Sequence, residues 1–324
     1  MADRRHPSNI GYMPFVGETI ALIVAISWTA TALFADEASH RLGSLPLNLI
    51  RMILSLTMLS LLLWVATGTP YPSFASGSAW LWLALSGVVG YVFGDYCLFN
   101  SYIVFGSKYG QLFMTLAPPI AGITGWLFLG EEMRWTSWLA MFVTLSGIAF
   151  SIMVKQGNSV KVKLPLKGIL FGIGAGMGQG VGLVLSKIGL EHYALSIPED
   201  VPESVVMLMP FAGTYIRALA GLVGFTIILL CRKEMGQVWK GFHNKQGMTY
   251  ATLTTFFGPF VGVSLSLMAV QYTHAGIAST LMALTPVLII LPYSIIHKQK
   301  VSVRELIGTI ITLTGVAMFF MNNE

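Results

Sequence analysis

Long apolar runs, each of about 18–22 residues and broken only by short polar stretches, constrain this chain more than any other feature. A helix crossing the ~30 Å hydrocarbon core of a bilayer needs roughly 20 apolar residues, because each adds ~1.5 Å. Ten such runs can be drawn, over residues 17–35, 45–66, 79–99, 104–129, 135–154, 166–187, 209–231, 248–271, 276–296 and 303–321. Turn formers and charges fill the gaps, as in Gly68-Thr69-Pro70, Gly130-Glu131-Glu132, Gly157-Asn158-Ser159 and His297-Lys298-Gln299-Lys300. The longest gap, 188–208, holds Glu191, Glu199, Asp200 and Glu203 and reads as an ordered surface loop or a short interfacial helix. Only 10% of the residues are charged, against about 25% in a soluble domain. A water-soluble fold could not cover its surface with so few. The expected class is an all-α polytopic membrane protein with ten transmembrane helices.

Several smaller features fit that class. The first run is followed by Asp36-Glu37 with no small-residue cleavage site, so it reads as a retained span rather than a signal peptide. Cys97 and Cys231 form neither a metal spacing nor a disulfide framework. The net charge of +5 comes from basic residues in loops between apolar segments. Membrane phospholipid, and not nucleic acid, is their expected partner. No cofactor or metal is called for, and a monomer or homodimer is expected.

The chain also resembles itself. At a shift of 168 residues, Pro118 falls on Pro286, Met114 on Met282, Leu116 on Leu284, Gly147 on Gly315 and Ala149 on Ala317. Gly90 and Gly94 fall on Gly258 and Gly262. An Ile-Arg pair recurs in the second span of each half, Ile50-Arg51 and Ile216-Arg217, at a shift of 166. Two five-span repeats follow, over 17–154 and 166–321, joined by a basic linker at 155–165. Five is odd, so the second repeat enters the bilayer from the opposite side and the two are inverted. Inverted repeats are a recurring plan of secondary carriers, with the substrate near the midplane between the halves. The copies are not equivalent: Asp95 has Val263 at the shifted position, and Glu131 has Gln299.

The stretches Leu116-Ala117-Pro118-Pro119, Leu129-Gly130-Glu131-Glu132 and Ser146-Gly147-Ile148-Ala149 resemble the EamA module of the drug/metabolite transporter superfamily. Leu284-Thr285-Pro286-Val287 through Thr314-Gly315-Val316-Ala317 resembles a second copy, with Gln299 departing from the pattern. The resemblance covers about 17–321. It implies ten spans and the transport or efflux of small metabolites, amino acids or drugs, and a bacterial inner membrane is the expected location. It also implies termini inside the cell. The charges say otherwise. One face, with the tails, holds Arg4, Arg5, Arg134 and Lys187, while the remaining loop cations number 13 and lie on the other. Lys and Arg favour cytoplasmic loops, which places both termini outside.

Asp95 is the sharpest chemical signal. It lies inside the third span, and an ionised Asp near the bilayer centre costs roughly 2.5–3.5 kcal/mol on insertion scales. A cation, a substrate ammonium, a basic side chain or a proton must compensate it. Proton coupling is one reading; a structural pair with Arg51, Arg217 or Lys187 is the plain one. Helical spacing puts Tyr91 and Tyr102 on its face. Arg51 and Arg217 lie five to eight residues into their spans, where snorkelling to the interface competes with an anion-binding or gating role. The sixth span carries Gly172, Gly174, Gly176, Gly178, Gly180 and Gly182. No strand precedes it, so it is not a nucleotide loop. Close helix packing or a flexible cavity wall is expected, with Gln179 and Ser186 as polar contacts. Lesser candidates are Ser27, Trp28 and Thr31 in the first span, Gln111 and Thr115 in the fourth, and Ser264 and Gln271 in the eighth; of these Ser27, Trp28 and Gln271 join the substrate- or ion-binding set. Pro118 and Pro286 read as fixed kinks or as hinges. A membrane enzyme would need a catalytic motif, and neither His-Glu-x-x-His nor Gly-x-Ser-x-Gly occurs. The closer rival is a flippase for lipid-linked or phospholipid-type substrates, with Arg51 and Arg217 as its head-group site. No catalytic residue is assigned.

Overall fold

A computed structural model describes residues 15–152, 165–290, 292 and 303–321. Most of the basic linker, and the His297-Lys298-Gln299-Lys300 stretch, fall outside the described residues. No strand occurs among those described. Eight helices are long and apolar enough to cross a bilayer. They are α1 (Val16–Leu42), α2 (Ser44–Thr67), α3 (Gly77–Val104), α4 (Gly110–Leu129), α6 (Leu166–Ala194), α7 (Met209–Cys231), α8 (Lys245–Tyr272) and α10 (Val303–Met321). Two shorter apolar helices, α5 (Trp135–Phe150) and α9 (Ala275–Leu288), occupy the fifth and ninth expected positions. Outward faces carry Ile26, Trp64, Leu81, Trp126, Phe142, Leu170, Ile227 and Ile310, all exposed. An apolar exterior of this extent suits lipid and not water. The protein is an integral, multi-pass membrane protein.

Several expected boundaries move: the first span runs to Leu42 rather than residue 35, and the fourth begins at Gly110 rather than 104. The third span runs to Val104 rather than residue 99, because its polar end is satisfied internally. Asn100 Nδ2 donates to the Tyr96 carbonyl at 2.7 Å and to Ser44 Oγ at 3.1 Å, and Ser101 Oγ donates to the Leu98 carbonyl. The chain turns at Gly106, whose φ of 80° is a left-handed value that glycine adopts without steric cost. The sixth span continues past 187 to Ala194, and the acidic stretch after it contains a short helix, Glu203–Met207.

The third helix of each half is deformed in the same way. Val88–Asp95 in α3 and Phe256–Val263 in α8 are π-helical, and their bounds differ by the repeat shift of 168. A π-turn leaves carbonyls outside the regular ladder, where side chains can meet them. Ser27 Oγ on α1 donates to the Phe257 carbonyl at 2.7 Å, and Gln179 Nε2 on α6 donates to the Gly90 carbonyl at 3.4 Å. The first helix of one half thus grips the π-segment of the other.

Packing explains the glycines of α6. A Cβ at Gly178 would lie 2.6 Å from the Gly94 Cα, and one at Gly182 would lie 3.0 Å from the Gly90 Cα. Gly180 and Gly176 approach the Ala117 and Phe113 carbonyls of α4, each within 2.7 Å of the position a Cβ would take. Alternate glycines therefore serve two neighbours, α3 and α4. At the periphery α5 and α10 pack reciprocally. A Cβ at Gly147 would meet the Thr312 nitrogen at 2.5 Å, and one at Gly315 would meet the Thr144 nitrogen at 2.5 Å. Stepping back by three on α5 advances three on α10, so these helices run antiparallel.

Candidate functional site

Between the halves lies a cavity walled by Trp28 of α1, by Gln111, Met114 and Ala117 of α4, and by Gln179 and Leu183 of α6. Arg217 of α7, Val263 and Ser266 of α8, and Ser279, Met282 and Ala283 of α9 close the other sides. Met114 and Met282 are 168 residues apart and both line it. Each sits where its helix breaks just before a proline: a 3-10 turn at Met114–Leu116 precedes Pro118, and α-helical geometry lapses after Met282 before resuming at Thr285–Leu288 with Pro286. A thioether beside a helix break suits an adaptable wall.

Behind Gln179 lies a buried polar network. Arg51 Nη1 on α2 donates to Asp95 Oδ2 at 3.1 Å and to Asn48 Oδ1 at 2.9 Å. The Arg51 guanidinium stands over the Phe99 ring at 4.6 Å. Gln179 Nε2 donates to the second carboxylate oxygen of Asp95 at 2.8 Å. Asp95 thus joins a helix of the first half to a helix of the second. Arg217 stands over the Tyr91 ring at 5.1 Å and donates to Ser186 Oγ. Ser186 Oγ in turn donates to the Gly182 carbonyl at 2.7 Å and contacts Ser86 Oγ at 2.9 Å. Each arginine also crosses to the π-segment of the opposite half. A Cβ at Gly90 would lie 2.8 Å from Arg217 Nη2, and one at Gly258 would lie 3.3 Å from Arg51 Nη2. Bare glycine backbone makes room for both guanidinium groups.

The snorkelling expectation for Arg51 and Arg217 is corrected here. Both are 3% exposed, with internal partners. The structure places the sequence candidates differently. Trp28, Gln111, Gln179 and Arg217 line the cavity; Asp95, Arg51, Tyr91 and Ser186 lie behind it. Tyr102 supports the wall at one remove, its hydroxyl accepting from Gln111 Nε2 at 2.5 Å. Ser27 faces the π-segment of α8, and Gln271, near the end of that helix, is not among the lining residues. Ser266 and Ser279 were not legible as site residues, since serines in apolar helices mostly bond their own backbone.

A second polar cluster lies away from the cavity, on the side of α6 towards its C-terminus. Glu131, after α4, pairs with Lys187 of α6. Its Oε2 accepts from the Ala275 backbone N–H at 2.9 Å, at the start of α9. Lys187 Nζ donates to the Thr273 carbonyl at 3.0 Å, and Thr273 Oγ1 donates to Glu18 of α1 at 2.7 Å. Lys187, one of the three basic partners considered for Asp95, pairs with Glu131 instead.

No curated protein matches the chain. A crystal structure described only as that of a protein superposes on 95% of this chain and 98% of its own, at 15% identity and a TM-score of 0.66. At that identity the likeness speaks for the fold alone. The profile of the EamA-like transporter family matches residues 15–153 and 204–321, leaving the glycine-rich α6 between the two matched stretches. That coverage exceeds half the chain, and the protein therefore belongs to the EamA-like transporter family.

Proposed function

We propose that this protein is a secondary transporter of a small metabolite, amino acid or drug-like solute, working by alternating access of two inverted five-helix halves. The observation that carries the reading is a cavity walled by corresponding elements of both halves, Met114 with Met282 beside their helix breaks. The matched π-segments and the antiparallel packing of α5 on α10 support the inverted arrangement. Rocking about Pro118 and Pro286 would open the cavity to one face and then the other. The Glu131–Lys187 tie would hold one face shut.

Asp95 is the proposed coupling residue. As a carboxylate it holds Arg51 and Gln179 together; a proton on it weakens the ion pair and loosens α3 from α6. The test is transport by the purified protein in proteoliposomes under an imposed pH gradient. Asp95→Asn should lose the dependence on that gradient. Full transport with unaltered pH dependence in the variant would remove Asp95 from the mechanism.

A further inference from the structure

The two arginines occupy corresponding places, yet only one has a carboxylate. Arg51 has Asp95. At the shift of 168, the residue that corresponds to Asp95 is Val263, which gives Arg217 nothing to pair with. Among the described residues Arg217 has the Ser186 hydroxyl and the face of Tyr91; its Nε, like that of Arg51, has no hydrogen-bond partner. No described acidic side chain lies within ion-pair distance of it. Both Arg217 and Val263 line the cavity, and among the described residues that line it Arg217 is the only ionisable one. With Arg51 balanced by Asp95, one positive charge is left over in a region removed from water. Asp95 acts on Arg217 only at longer range, and a buried guanidinium with no carboxylate at ion-pair distance carries a desolvation penalty that an entering anion relieves.

We propose that the transported solute supplies the missing carboxylate: Arg217 seats a singly charged acid group, and the solute is a small organic acid whose apolar body rests on Met114, Leu183 and Met282. This rests on the transporter reading and names the substrate class of its cavity. A phosphate monoester at a lipid head group shares the relevant chemistry, so the test separates the two sources.

Thermal unfolding of the purified full chain in detergent is followed with four probes: 3-phenylpropionate, 3-phenylpropionamide, 3-phenylpropylamine and dihexanoyl phosphatidate. The unfolding midpoint should rise with an acid and stay put with the amide and the amine. A response to phenylpropionate supports the proposal, whereas a response to phosphatidate alone identifies a lipid head group and overturns the small-acid assignment. Arg217→Lys should keep a response weakened about tenfold, because one ammonium replaces a planar fork. Val263→Asp, which places a carboxylate in the cavity wall beside Arg217, should abolish the response, and Val263→Asn should retain it. Equal stabilisation by the amine, no response to either acid, or an acid response undiminished in both Arg217→Lys and Val263→Asp would overturn the proposal. Proteoliposome flux keeps the two readings apart. Acid binding without flux leaves the anion site standing and removes the transporter; amine flux without acid binding does the reverse.

Discussion

A guanidinium taken out of water loses several kcal/mol of hydration unless its donors find acceptors. Arg51 recovers this from Asp95, Asn48 and the face of Phe99. Removing only one member of such a pair strands the other. Arg51→Met should therefore destabilise the protein by about 3–5 kcal/mol, and the double substitution Arg51→Met with Asp95→Leu should restore most of the loss. Denaturant unfolding in mixed micelles checks this, and equal losses in the single and double variants would refute a pair energy of that kind. Asp95 was legible in the sequence because a lone carboxylate within an apolar run demands a partner. Which of the three basic candidates pairs with it was not legible. Arg51 and Arg217 sit near enough to span ends for snorkelling, and only the bare backbone at Gly258 and Gly90, supplied by distant helices, lets them stay inside. Glu131 and Lys187 read from the sequence as the ends of different spans, where charge is ordinary, so their pairing belongs to tertiary structure alone.

Helices α3, α4 and α6 meet through glycine rather than through large side chains. Without a hydrophobic drive between helices in lipid, such close backbone approach supplies the packing energy. Gly178→Ala would push a methyl against the Gly94 Cα and should cost roughly 1–3 kcal/mol as an overpacked contact. Gly236→Ala, in the short helix Met235–His243, meets nothing within 4 Å and should be neutral or slightly stabilising. Thermal unfolding of the two variants side by side measures the difference; equal midpoints would mean that α6 yields freely. Most element positions followed from hydropathy, since runs of apolar residues are what a bilayer selects. The ends of α3 and α6 did not, because Asn100, Ser101 and Lys187 look like span ends on polarity alone. They continue the helix because their polar atoms are satisfied inside the protein.

At the scale of the whole molecule the two halves are interleaved, the first helix of each lying against the third of the other. The orientation of this assembly is set by the loops. The excess of Lys and Arg on the face opposite the termini predicts that this face is cytoplasmic. In a Cys231→Ser background, Glu199→Cys should then react with a membrane-impermeant maleimide on intact cells, and Lys240→Cys should not. The reverse pattern would put the termini inside. The internal repeat could be read from Pro118, Gly90 and their counterparts, whereas the matched π-segments could not, since no residue pattern announces an i+5 turn. The unmatched pair at 95 and 263 reaches further than the local chemistry. In a carrier of two identical inverted halves, the two access states would be related by a two-fold rotation and equal in free energy, and the empty protein would face each side half the time. One half with an internal ion pair and one without lifts that degeneracy, and a difference of only ~1.4 kcal/mol already biases the resting population tenfold. An acid bound at Arg217 would restore the balance of charge between the halves. The solute would then act as the weight that levels the two states, and the empty protein would stay parked on one side.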